Sequence, residues 1–148
     1  MRVIVQRVSS ASVAITDYET QTIGPGMVVF VGYTINDKQA SNDWLLKKLL
    51  NLRIFSDETG KMNLNIQDIA GEILLVSQFT LYADLNQGNR PSFSQALVYN
   101  EAENLYNDFK TKLSDRTKVK TGVFGAEMQV TLTNDGPVTI IIDSPPIA

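Results

Sequence analysis

The stretch Met27-Val28-Val29-Phe30-Val31-Gly32-Tyr33-Thr34 follows directly on Gly24-Pro25-Gly26 and is apolar almost without interruption. An alternating strand leaves one face to water. A continuous run of strand formers suits a strand buried on both faces. The rest of the chain must therefore cover this strand on two sides. Upstream, "MRVIVQRV" alternates, with Val3, Val5 and Val8 among polar neighbours. "ASVAI" follows, then a turn around Asp17-Tyr18-Glu19 and a short strand "QTIG". Gly24-Pro25-Gly26 itself reads as a loop.

Two helices supply cover. Over 37–53, Leu45, Leu49 and Leu52 recur at helical spacing and face the core, with Ser41 or Asp37 placed to cap the start. Trp44 on the same segment reads as packing. From about 94 to 113, Leu97, Ala102, Leu105, Phe109 and Leu113 repeat every three to four residues. Between the helices, "RIFSDETGKMNLNI" reads as two short strands around a turn, and "GEILLVSQFTLYAD" as a strong strand. After the second helix the chain is β again, as far as the tail "SPPIA", which is expected to fray. The 148 residues suit one domain over 1–148, with 144–148 as the frayed end. The expected fold class is α+β, of the α/β-sandwich type: mostly β, with two helices packed on the sheets.

Histidine and cysteine are both absent. That excludes Ser-His-Asp triads, Cys-His pairs, zinc sites with His or Cys ligands, and disulfides. The usual general base near neutral pH is missing. An enzyme with this composition works with carboxylates, hydroxyls, backbone groups, a hard metal or the substrate's own groups. The net charge of −3 and pI near 4.9 argue against non-specific coating of nucleic acid. Lys47, Lys48 and Arg53 cluster, as do Arg116, Lys118 and Lys120; both groups read as solvated faces. No apolar run is long enough for a membrane helix, and the charged start does not fit a signal peptide. A cytoplasmic protein without membrane or DNA partners is the simplest expectation.

Chemistry concentrates in two places. The stretch "SQFTLYAD" ends a buried strand with Ser77, Gln78, Thr80, Tyr82 and Asp84. Ser77 or Thr80 is a nucleophile only with a base beside it. A more natural role for the segment is to present backbone N–H groups to a developing oxyanion. The carboxylates are scattered, there is no phosphate-binding glycine motif, and Gly122-Val123-Phe124-Gly125 reads as a bend between strands. The second place is Gly136-Pro137 in "TLTNDGPVTIIID". Turn formers surround it, so a hairpin turn is the first reading. The other is a cis peptide used as a device that recognises a ligand through backbone carbonyls.

These stretches resemble the D-aminoacyl-tRNA deacylases, historically called D-tyrosyl-tRNA deacylases. The resemblance runs nearly end to end, through "MRVIVQRVSSASV", "KKLLNLRIFSDETGKMNLNI", "LLVSQFTLYAD", "GNRPSFSQA" and "TGVFGAEMQVTLTNDGPVTI". It implies a homodimeric editing enzyme, free of metal and cofactor, that hydrolyses the ester of a D-amino acid on the acceptor end of tRNA. Glycine mischarged onto alanine tRNA is a further implied substrate. Gly136 and Pro137 would enter the partner's site as a Gly-cis-Pro that rejects L-amino acids, held in place by Arg7. Ser77, Gln78, Phe79 and Thr80 would form the other half, with backbone N–H groups around Gln78 and Phe79 as oxyanion donors. The 2′-hydroxyl of the terminal ribose would assist. Met128 would line an adenosine pocket. Two rivals remain: a related deacylase with a trans Gly-Pro acting on small L-amino acids, and a non-catalytic tRNA-binding protein of the same fold. Pro25 and the tail "PPIA" depart from the family pattern without touching these motifs.

Overall fold

The computed structural model describes residues 1–147. Ala148, the last residue of the expected frayed tail, lies outside them. The elements in chain order are β1 (Arg2–Ala14), β2 (Gln21–Ile23), β3 (Gly26–Gly32), α1 (Gln39–Asn51), β4 (Phe55–Ser56), β5 (Met62–Leu64), β6 (Glu72–Ser77), a short 3-10 helix (Phe79–Tyr82), α2 (Tyr99–Ser114), β7 (Lys118–Thr121) and β8 (Gln129–Asp143). The main sheet is mixed. β3, β6 and β7 run parallel, while β1 pairs antiparallel with β3, β2 and β8.

The apolar run of β3 is buried on both faces, for a visible reason. Met27, Val29 and Val31 share one core with Ile73 and Leu75 of β6 and with Leu45, Leu49, Phe109 and Leu113 of the two helices. Val28, on the other face, joins Leu74 and Val76 of β6 and Val8, Ala11, Val13 and Ile23. The helices thus cover one side. The second half of β1, with β2 and the first half of β8, curls over the other. The register between β1 and β8 breaks on either side of Val8, and such breaks bend a strand.

Three sequence expectations are corrected. The segment 94–98 is not helical, and α2 starts at Tyr99, because Leu97 N–H donates to Tyr33 O at 3.0 Å and Ile35 N–H to Gln95 O at 3.3 Å. The strand through "SQFTLYAD" stops at Ser77 and turns into the 3-10 helix. The hairpin at Gly136-Pro137 does not exist. Residues 129–134 and 139–143 both pair with β1, antiparallel, and not with each other. Asp135 to Val138 is instead an excursion from one long strand. In the tail, Ser144 N–H donates to Met1 O at 2.9 Å, and 144–147 carry no regular structure.

Candidate active site

At the carboxyl ends of the parallel strands β3 and β6 the structure opens a cleft of about 470 Å³. Open sheets bind ligands at that end, and the volume suits a small molecule or one nucleotide unit. Ser77, Gln78 and Phe79 form its floor, with Val31–Tyr33 beside them. Phe124–Ala126 and Met128 form one wall, and Tyr99 and Ala102 of α2 another. Among the described residues, no carboxylate, lysine or arginine lines it. Tyr33 is the one buried ionisable residue among the described residues of its lining. Burial, with the fields of Tyr106, Asp37 and Asp108, pushes its phenol well above the ordinary value, and its hydroxyl donates to Asn42 Oδ1 at 3.0 Å. The cleft therefore holds no side-chain base for neutral pH.

The strand exit determines which backbone groups are free. Gln78 N–H donates to Val31 O at 2.7 Å, extending the β3–β6 ladder by one bond. The expectation of an oxyanion donor at Gln78 N–H meets this bond, which already occupies it. The next two amides, of Phe79 and Thr80, open the 3-10 turn and have no acceptor among the described residues. Leu81 and Ala83 N–H groups are taken by Gln78 O and Thr80 O. Two adjacent N–H groups without partners among the described residues, one on a cleft residue, can donate to an oxygen that develops negative charge. Thr80 itself does not line the cleft. Its hydroxyl oxygen accepts a hydrogen bond from the Gln78 side-chain amide, and an amide does not take up a proton at neutral pH.

Arg7 and the Gly136-Pro137 excursion form a second, separate group. Arg7 Nε donates to Asp135 O at 2.9 Å and pairs with the Asp135 carboxylate at 3.3 Å, while Nη1 donates to Ile54 O at 2.7 Å. Asn134 Nδ2 bridges Arg7 O and Val138 O, each at 3.0 Å. Val138 is buried at the base, and Gly136 and Pro137 are exposed at the tip. The Gly136–Pro137 peptide is cis. A Cβ on Gly136 would stand 2.7 Å from Asn134 Oδ1, which explains a glycine there. Arg7 pairs with Met27, whereas the cleft begins at Val31. Four strand residues separate them, about 13 Å. Within one chain, Gly136 and Pro137 do not reach the cleft.

Of the residues singled out from the sequence as site candidates, Ser77, Gln78, Phe79 and Met128 line the cleft; the rest of the two walls was not among them. Phe124, Gly125 and Ala126 belong to the segment read as a bend; it is one, and it also closes the cleft. Gly125 has φ of 75°, a conformation that favours glycine, and its missing Cβ leaves room for the Tyr99 hydroxyl. Tyr99 packs edge-on against Phe124 with centroids 5.1 Å apart, and Tyr106 backs Phe124 at 5.3 Å.

Fold and cleft together define a class: an α/β-sandwich domain with a mostly apolar cleft at the ends of parallel strands, whose free polar groups are backbone amides and hydroxyls. Comparison with known proteins narrows it. The family described as D-Tyr-tRNA(Tyr) deacylase matches residues 4–143, and the chain belongs to that family and is a hydrolase. It is 54% identical over 147 residues to a D-aminoacyl-tRNA deacylase of Chlorobium phaeobacteroides, covering 98% of each chain. It is 50% identical to one of Prosthecochloris aestuarii, covering 98% of this chain and all of that one. Among solved structures, a protein named c-Myc DNA Unwinding Element Binding Protein superposes with a TM-score of 0.91 at 42% identity, over 98% and 99% of the two chains. A probable eukaryotic D-amino acid tRNA deacylase superposes with a TM-score of 0.85 over 95% and 97%; at 16% identity it speaks to the fold alone.

Proposed function

We propose that the protein hydrolyses the ester linking a D-amino acid to the acceptor end of tRNA, in the cytoplasm, as a homodimer. The observation that carries this is the pair of amides, of Phe79 and Thr80, that have no acceptor among the described residues and stand beside a cleft without a side-chain base for neutral pH. Water attacks the ester carbonyl carbon, and the carbonyl oxygen takes up charge facing these N–H groups. The terminal ribose leaves with its 3′-oxygen, and the neighbouring 2′-hydroxyl relays the proton that no side chain can. The adenosine lies against Met128.

Chirality is read by the partner. Gly136 and Pro137 of one chain stand at the α-carbon of the substrate in the other. Their carbonyls leave no room for an L side chain, and Arg7 holds them by its bonds to Asp135 and Ile54. Glycine, lacking a side chain, passes, so glycine on alanine tRNA is a second substrate. The test is hydrolysis of D-Tyr-tRNA and L-Tyr-tRNA side by side by the purified protein. Loss of the D ester alone is expected. Cleavage of both would point to the relaxed deacylase. Cleavage of neither, with tRNA bound, would leave a binding protein.

A further inference from the structure

Just outside the cleft mouth the surface is apolar in a way the proposed reaction does not use. Phe79 is 57% exposed and Phe93 37%, and their rings meet edge to face with centroids 4.9 Å apart. Leu85, 58% exposed, sits in the same loop segment. Phe79 belongs to the cleft, so this patch is continuous with the site. Singly exposed apolar residues need no explanation, but two exposed rings in edge-to-face contact beside a site do.

The position of Phe93 is fixed by the backbone. Asp84 and Ser92 exchange N–H···O bonds of 2.8 and 2.9 Å, closing the loop immediately before Phe93. On its other side Ala96 N–H donates to Phe93 O at 3.0 Å. A ring held on both flanks loses little freedom when a ligand stacks on it. Arg90, in the closed loop, has no hydrogen bond or ion pair among the described residues.

We propose that the Phe79–Phe93 pair is a stacking platform for the nucleotide preceding the terminal adenosine, with Arg90 available to the phosphate between the two. This inference rests on the function proposed above and extends its site by one nucleotide. The chemistry is that of single-strand recognition: an aromatic face accepts any base, and a cation follows the backbone. It also gives an acidic protein a way to grip an acceptor end with few phosphate contacts.

The test compares F93A with the wild type on two substrates, D-Tyr-tRNA and 2′(3′)-O-D-tyrosyl-adenosine. The second lacks the preceding nucleotide. For F93A, kcat/KM on the tRNA is expected to fall by about 5- to 150-fold, mostly through KM. On the adenosine ester it should stay near wild type, and F93W should recover the tRNA value. Equal losses on both substrates would make Phe93 a prop for the cleft and overturn the proposal. So would an undiminished tRNA rate, or dissociation of oligomers on a sizing column, which would assign the patch to a second copy. Binding of a 5′-labelled CCA trinucleotide, competed by adenosine, reads the same subsite without turnover. A trinucleotide advantage that F93A abolishes is expected even if the wild type cleaves neither ester, an outcome that would sink the proposed function alone.

Discussion

Thr80 carries a hydroxyl beside an amide and nothing basic. Its side chain points to no chemistry that the neighbouring backbone does not already offer. The T80A protein keeps both free N–H groups, and its kcat on D-Tyr-tRNA is expected to stay within about tenfold of wild type. Removal of a true nucleophile costs on the order of 10⁶; a loss of that size with the fold intact by circular dichroism would make Thr80 the attacking group. The same residues show what a sequence can disclose about a site. That Ser77 and Gln78 line the cleft was legible because polar residues end a buried strand there, a local signal. That Gln78 N–H is engaged was not legible, since its acceptor, Val31 O, comes from a strand more than forty positions earlier. Tyr99 and Phe124 were hidden for the same reason. Phe124 reads only as part of a bend, and Tyr99 stands outside the apolar stripe of the second helix, until α2 and the turn after β7 are brought together.

At the scale of elements, β8 carries the main lesson. Its two halves looked like partners because turn formers lie between them. Yet β1 is long enough to pair with both, and pairing is decided by which long strand is at hand. The far end of this ladder is closed by Arg2 and Asp143, with Nε at 2.7 Å from the carboxylate. Arg2 also donates to Leu81 O at 3.2 Å and lies over the Tyr82 ring, tying β1 to the turn that follows Phe79. The Arg2 hydrogen bond holds the Asp143 carboxyl below its usual value, against a smaller opposing effect of burial. A carboxylate lowered in the folded state stabilises above its unfolded pKa and loses that contribution as pH falls through the folded one. Both side chains are substantially exposed, so the pair contributes about 0.2–1 kcal/mol. D143N should therefore be less stable to urea by that amount at pH 7. The gap should shrink below about pH 4, where unfolded aspartate takes up its proton. A gap unchanged at pH 3 would mean that Asp143 acts through packing and not through charge.

The whole molecule divides the proposed site between two ends of one sheet. The cleft lies where β3 and β6 finish; Arg7 and the excursion lie where β3 begins. A chain that selects chirality with Gly136-Pro137 must lend them to another copy. Two variants make this measurable. G136A places a Cβ against Asn134, whose amide is already committed to Arg7 O and Val138 O, so the tip must shift. It is expected to hydrolyse L-Tyr-tRNA as well as the D ester. A126W fills the cleft and should be inactive, while its own excursion stays intact. When the two are refolded together in equal amounts, random pairing places about half of the G136A chains beside an A126W chain. Those G136A clefts receive a sound Gly136-Pro137 from outside. Hydrolysis of the L ester per G136A chain should then drop by about half, and that of the D ester should hold. If each chain completed its own site, mixing would change neither rate.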